Sequence, residues 1–288
     1  MDHVQLVISR GVLMKYNFLN KNIIVTGGSS GIGLALVQEL LHLGANIWII
    51  ARNEQKIIDV LNQMGDEKTR VNYFLSDVQD FTEIKQIAVN LKENKISIDG
   101  LINSAGITYP AEFDSLGIEK FRWLMDVNYF GTVHWVMSIL PIMSSESFIV
   151  NISSMAGIIG VYGYSAYSAS KYAVRGFSDV LRSELKPRDI HVSIVFPPDT
   201  DTPQLEYENV FKPEITKKLA GSAKVMSAQK VAKEIIAGIE KRKYIIIPGF
   251  ESKLIYHLSN ILGPLVYPIM DLMVSQALKE INHKKTSD

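Results

Sequence analysis

In the stretch SAYSASKYAVRG, Tyr167 and Lys171 stand four residues apart. On a helix that spacing puts both side chains on one face, where an ammonium can lower the pKa of a phenol from about 10 toward working pH. A phenol held in this way is a general acid. Thirteen residues upstream Ser154 closes the run NISS, and its hydroxyl can polarise a carbonyl. Asn128, in MDVNYFG, can hold a water that relays protons to Lys171. A Tyr and a Lys four apart are, on their own, ordinary helix surface. The four residues together point to proton transfer at a carbonyl.

A second set of residues suits phosphate. TGGSSGIG, from Thr26 to Gly33, follows an apolar run and opens a helical pattern. Its glycines, Gly27, Gly31 and Gly33, allow a tight turn and close approach of an anion to backbone N–H groups, while the helix N-terminus adds about half a positive charge. Gly27, Ser29, Ser30, Gly31, Ile32 and Gly33 are therefore read as a diphosphate cradle, although their spacing is not the common GxGxxG. The next apolar run ends IIARN, with Ala51 where a ribose-binding carboxylate would stand and Arg52 beside it. A guanidinium there, with Lys56 one helical turn on, suits a 2′-phosphate and favours NADPH; the same pair also suits a solvated helix start. Asp77 can receive an adenine amino group or cap the helix that opens near Asp80.

The elements that must position these groups are legible as alternation. NIIVTGG, ANIWIIA, VNYFLSD, IDGLINSAG, SFIVNIS, IHVSIVF and YIIIPG are short runs rich in β-branched residues. Between the first four lie GLALVQELLHLG, EQKIIDVLNQMG and FTEIKQIAVNLKEN, with apolar residues three and four apart and a closing glycine on two of them. Strands without a polar face, alternating with helices, predict an α/β fold with a doubly wound, parallel, seven-stranded Rossmann-like sheet. The 288 residues, 47% hydrophobic and 21% charged, suffice for one large core. Thirty Lys and Arg against thirty Asp and Glu give no net charge to recruit nucleic acid. The absence of cysteine excludes disulfides, thiolate metal sites and a thiol nucleophile, and no metal is expected. The opening MDHVQLVISRGVLM lacks the form of a signal peptide, and Met14 is an alternative start. Residues 204–226 are polar without clear periodicity and read as a mobile flap. The apolar segment from Phe250 to Leu278 carries Gly263, Pro264, Pro268 and Asp271, which argue against a straight membrane span. A peripheral membrane contact, a dimer contact, a wall of a lipid-tail pocket and an extension of the core all suit it.

These motifs resemble those of the short-chain dehydrogenases/reductases. TGGSSGIG is similar to that family's cofactor loop, NSAG at Asn103 to Gly106 to its sheet-stabilising NNAG, and YSASK to its YxxxK. The resemblance implies a single domain over residues 16–249, with 250–288 as an apolar C-terminal extension. It implies a Ser154, Tyr167, Lys171 and Asn128 tetrad, with Lys171 also on the cofactor ribose and Asn103 beside the cofactor. After the sixth strand, where most members carry a PG turn, this chain has FPPDTDTP. That run resembles the signature of the family's reductases of 3-keto sphingoid bases. It implies Pro197 and Pro198 as a stiff cover over a nicotinamide, and Thr202 on its carboxamide. Asp199 and Asp201 can meet a sphingoid ammonium or cap the turn. The expected activity is NADPH-dependent reduction of a long-chain keto sphingoid base, by a homo-oligomer associated peripherally with the cytoplasmic side of a membrane: the endoplasmic reticulum in a eukaryote, the inner membrane or the cytoplasm in a bacterium. Another lipophilic ketone or aldehyde, or a non-catalytic NADPH-binding scaffold, would use the same fold.

Overall fold

Strands with no polar face can be covered on both sides only at the middle of a layered fold, and the computed structural model puts them there. It describes residues 15–221 and 224–285. The opening segment with Met14, read above for a leader and a start, lies outside them.

The chain runs β1 (Asn22–Thr26), α1 (Gly31–His42), β2 (Asn46–Ala51), α2 (Glu54–Gln63), β3 (Val71–Leu75), α3 (Phe81–Glu93) and β4 (Ile98–Asn103). It continues through α4 (Ile118–Met125), α5 (Gly131–Ile139), β5 (Met143–Ile152), α6 (Ser165–Leu185) and β6 (His191–Val195). The last part comprises β7 (Thr200–Asp201), α7 (Pro203–Phe211), α8 (Glu214–Ala220), β8 (Met226–Ser227), α9 (Ala228–Glu240), β9 (Ile245–Ile246), α10 (Phe250–Leu262) and α11 (Val266–Lys285).

Seven strands form one parallel sheet in the order β3-β2-β1-β4-β5-β6-β9. This is the doubly wound architecture expected from the sequence. The order reverses at β1, which pairs with β2 on one side and β4 on the other. The carboxyl ends of β1 and β4 therefore open a crevice at that point, where sheets of this kind take ligands. One hydrophobic layer packs Leu36 and Leu40 of α1 against Val231 and Ile235 of α9. On the other face Ile84 and Leu91 of α3, Trp135 of α5 and Leu181 of α6 form a second layer. Burial at about 25 cal/mol per Å² makes these two layers the main source of stability.

One segment differs from the reading of the sequence, and a second breaks where its glycine and prolines argued against a straight span. Residues 204–226, expected as a flap, contain α7 and α8. The start of α7 is set by Thr202, whose Oγ1 accepts from the Leu205 N–H at 3.3 Å, and by Pro203 at the first helical position. The other is the C-terminal segment, in which α10 and α11 are separated by a 3₁₀ turn at Gly263–Leu265. Gly263 has φ of +53°, which breaks the helix there. Pro268 is the third residue of α11, where a helix has no use for its missing N–H, so α11 runs for 20 residues.

Candidate active site

The turn after β1 carries two glycines that no other residue could replace without movement. Gly27 has φ of +67°, and a Cβ on it would lie 2.9 Å from the Ala105 Cα. A Cβ on Gly33 would lie 2.3 Å from the Gly27 carbonyl oxygen. The turn is thus packed backbone on backbone against the NSAG loop, which Thr26 also holds: its Oγ1 accepts from the N–H groups of Ser104 and Ala105 at 3.1 and 3.0 Å. At the start of α1 the Ser30 side chain makes no cap hydrogen bond, and the first turn has no acidic residue. Its backbone donors, beside a cavity lined by Gly27, Ser30, Gly31, Ile32 and Gly33, suit a diphosphate. Ser29 belongs to the same turn but does not line the cavity.

The cavity, about 750 Å³, extends from this turn to the amino end of α6. Ser154, just past β5, has extended backbone, and its Oγ accepts from the Ala156 N–H at 3.2 Å. The polar side chains of Ser154 and Gln204 flank the Tyr167 hydroxyl and act on its pKa. One turn along α6, Lys171 donates to the Ile152 carbonyl at 3.0 Å, and its Nζ lies 5.7 Å from the centre of the Tyr167 ring. Tyr167 and Lys171 are 7% and 5% exposed. Burial pushes the phenol above its ordinary range, as do the charges of Glu208 and Asp199, while the neighbouring side chains of Ser154 and Gln204 pull it back. Burial also lowers the Lys171 ammonium from 10.5 to about 8. Desolvation thus outweighs the pairing expected to bring the phenol down, because the two groups sit in the same dry pocket.

Asn128 lies on a π-helical turn, Asp126–Phe130, between α4 and α5. The extra residue of such a turn re-aims a side chain at the expense of regular helix geometry. Its Oδ1 accepts from the Ile107 N–H at 2.8 Å, and its Nδ2 donates to the Ile107 carbonyl at 3.0 Å and the Ser170 hydroxyl at 2.9 Å. A Cβ on Gly106 would lie 3.3 Å from both Asn128 Oδ1 and Lys171 Nζ, so Asn128, itself behind the wall, flanks the Lys171 ammonium that lines the cavity.

The remaining expected site residues separate. Pro197 and Thr202 line the cavity, and the Thr202 Oγ1 also donates to the Thr200 carbonyl at 3.1 Å. Asn103 stays behind the wall, donating to Asn151 Oδ1 at 2.9 Å, and Asn151 in turn donates to Ser178 at 2.9 Å, which ties β4, β5 and α6 together. Arg52, Lys56 and Asp77 lie outside the cavity wall. Arg52 pairs with Asp77 at 3.3 Å. Burial raises the Asp77 pKa, but the Gln79 N–H and amide and the Arg52 charge together hold it below the usual carboxylate range. The cap of α3 is Asp80, which accepts from the Glu83 N–H at 2.9 Å. Asp199 lines the cavity, whereas Asp201 is exposed and does not. The sequence reading missed Tyr164, Gln204, Glu208 and Lys212, all of which line the cavity. Their one sequence signal was the spacing of Gln204, Glu208 and Lys212, four apart on what is now α7 and its end.

A parallel sheet, a glycine-rich turn at its switch point and a Ser–Tyr–Lys group on the adjoining strand and helix define a class of oxidoreductase, and the chain belongs to the short chain dehydrogenase family, whose model matches residues 21–211. Within it the chain is 36% identical over 280 residues to a 3-ketodihydrosphingosine reductase of Dictyostelium discoideum, covering 90% of this chain and 84% of that one. It is 35% identical to the 3-ketodihydrosphingosine reductase of Bos taurus, covering 75% of this chain and 67% of that one. A short chain dehydrogenase from Burkholderia cenocepacia, solved in complex with NADP, has the same fold, with a TM-score of 0.74 at 22% identity over 88% of this chain and 99% of that one.

Proposed function

We propose that this chain reduces 3-ketodihydrosphingosine to dihydrosphingosine with NADPH. The observation that carries the reading is one continuous cavity: it joins the glycine-rich turn to the Ser154–Tyr167 pair and ends against Phe250, Ile255, Met270 and Met273 of α10 and α11. Cofactor, ketone and alkyl chain each have a matching wall, and the relatives that share most of the chain's length carry the same activity in their names.

In this reading Gly27 and the residues from Ser29 to Gly33 hold the diphosphate, and Lys171 holds the nicotinamide ribose. Arg52 and Lys56 take the 2′-phosphate, and Asp77, oriented by Arg52, takes the adenine. The bound nicotinamide supplies the hydride. Ser154 donates a hydrogen bond to the ketone oxygen and stabilises its developing negative charge. Tyr167 gives that oxygen its proton, and the burial that raises its pKa keeps it protonated until then. Lys171, next to Asn128, places the phenol and the ribose in register. Pro197 and Pro198 stiffen the cover of the site, because each fixes φ and lacks an N–H.

Residues 16–249 form the catalytic unit and 250–288 its lipid-facing extension. The stretch Phe250–His283 is long and apolar enough to cross a membrane by length and composition, with 6% of its most apolar window buried. Its break at Gly263 and its place on the cavity wall favour lying along a membrane surface, with the active site on the cytoplasmic side. The test is NADPH oxidation with 3-ketodihydrosphingosine beside a ketosteroid and retinal in matched micelles. The reading requires kcat/KM to be highest for the sphingoid ketone; a higher value for the steroid or retinal rejects it.

A further inference from the structure

Beside Tyr167 the cavity carries charges that the reaction above does not use. Glu208 of α7 is 7% exposed. It accepts from the Tyr164 hydroxyl at 2.8 Å and from the Gln204 amide at 3.3 Å, and lies 3.7 Å from the Lys212 ammonium. Lys212, 6% exposed, is also 3.7 Å from Asp199. Two carboxylates therefore face one ammonium, leaving this wall one negative charge in excess. Lys171 does not make up the difference, since its ammonium pairs with neither carboxylate and donates to the Ile152 carbonyl at 3.0 Å. The other charged residues of the wall, Lys224, Lys230 and Glu251, are exposed to solvent.

A carboxylate this dry is costly unless a cation completes its surroundings. Burial raises the Glu208 pKa, the Tyr164, Gln204 and Lys212 contacts lower it, and the Asp199 charge raises it again, so that it stands above its ordinary value. Its position relative to the reacting groups is set by Gln204, whose side chain donates to Glu208 at 3.3 Å and lies near enough to the Tyr167 hydroxyl to lower its pKa. Tyr164 makes a second link, with its ring centre 5.7 Å from that of Tyr167. In a 2-amino-3-ketone the ammonium is on the carbon next to the carbonyl. With a ketone oxygen on Ser154 and Tyr167, one of the two carbons flanking the carbonyl can face the side of Tyr167 where Gln204 and Glu208 lie, and the ammonium-bearing carbon is assigned to that side. The geometry points to Glu208 as the residue that receives the substrate ammonium and selects amino ketones over plain ones, an inference that rests on the substrate proposed above. Asp199, with 40% of its side chain exposed, takes the outer side of Lys212, and Asp201 is outside the cavity.

The experiment uses the full chain and its Glu208→Gln variant, with 3-ketodihydrosphingosine and the analogue of equal chain length that lacks the amine. The ratio of kcat/KM for the amino ketone to that for its amine-free analogue should fall about 10- to 100-fold in the variant, the usual effect of losing a hydrogen bond to a charged group. Titration of the NADPH-bound protein with dihydrosphingosine should show a Kd weakened by a similar factor. Equal losses with both ketones would mean that Glu208 only supports Tyr164 and α7, and would overturn the inference. Should the variant fail to fold, the wild-type protein decides with N-acetylated substrate, which keeps the ketone and loses the cation. A similar drop supports the assignment, and equal efficiency for free and acetylated amine overturns it. Failure of the parent reading has a different signature: wild-type protein that reduces the amine-free ketone but not the amino ketone overturns both.

Discussion

Tyr167 and Lys171 share one dry pocket, and desolvation acts on them in opposite directions: it holds the phenol in its protonated form and loosens the proton on the amine. This gives Lys171 a titration within reach of experiment. Its ammonium, lowered from 10.5 to about 8, is charged below that pH and neutral above it. NADPH is anionic, so its affinity should fall as pH rises through about 8, and the Lys171→Met variant should bind weakly with little change over the same range. Fluorescence titration of NADPH measures both, and a wild-type affinity that is flat from pH 7 to 9 would remove Lys171 from the cofactor site. The same shift affects stability in the other direction. Between about 8 and 10.5 the unfolded chain holds the extra proton, so this group makes the cofactor-free protein more stable as pH rises through that window. Arg52 is tested by cofactor choice. Its guanidinium is 61% exposed and tied at 3.3 Å to Asp77 alone among the described carboxylates, so it retains donors for a phosphate. Arg52→Ala should raise KM for NADPH about tenfold or more while changing KM for NADH little. Equal losses with both cofactors would mean that Arg52 serves the fold.

At the scale of elements, the glycine turn is the part with least tolerance. Gly33→Ala would bring a Cβ to 2.3 Å from the Gly27 carbonyl, which is backbone and cannot swing aside. Overpacking of this kind costs about 1–3 kcal/mol. The variant should melt lower than the wild type and bind NADPH more weakly; an unchanged Tm and Kd would show that the turn has slack the structure does not suggest. Such a turn was legible in the sequence, and so were the seven strands and α1 to α3. β-Branched runs and apolar residues three and four apart survive translation into structure whatever packs against them. α7 was not legible by that route: its signals are Thr202 and Pro203 at its start, and its inward face includes Glu208, an acid that periodicity assigns to solvent. The π turn under Asn128 left no trace either, because one extra residue in a helix changes geometry without changing composition. What the residues alone could name was the set Ser154, Tyr167, Lys171 and Asn128. What only the folded chain could add was the charge beside it, brought there by the hydrogen bond from Tyr164 to Glu208 of α7.

The whole molecule joins a reaction centre on the sheet to an apolar rim formed by α10 and α11. Phe250, Ile255, Met270 and Met273 line the cavity, while Ile261, Leu265 and Tyr267 are 80%, 65% and 66% exposed. Those outer residues separate membrane docking from substrate binding. Ile261→Glu with Leu265→Glu should reduce flotation with liposomes and raise KM for long-chain ketone presented in vesicles, with much less effect on a short, water-soluble ketone. If flotation is unchanged, the rim serves some other contact. A pocket that takes part of the alkyl chain should also discriminate by length, at about 0.8 kcal/mol for each buried methylene. The central claim, that this fold transfers a hydride to the carbonyl of a sphingoid base with Tyr167 as the proton donor, has a direct measurement. NADPH carrying deuterium at the transferable position of the nicotinamide is incubated with 3-ketodihydrosphingosine, and the dihydrosphingosine formed is analysed by mass spectrometry. The account predicts one deuterium on the carbon bearing the new hydroxyl, and a rate at least about a hundredfold lower in Tyr167→Phe with NADPH still bound. Product without deuterium at that carbon, or a Tyr167→Phe rate close to the wild type, would contradict it.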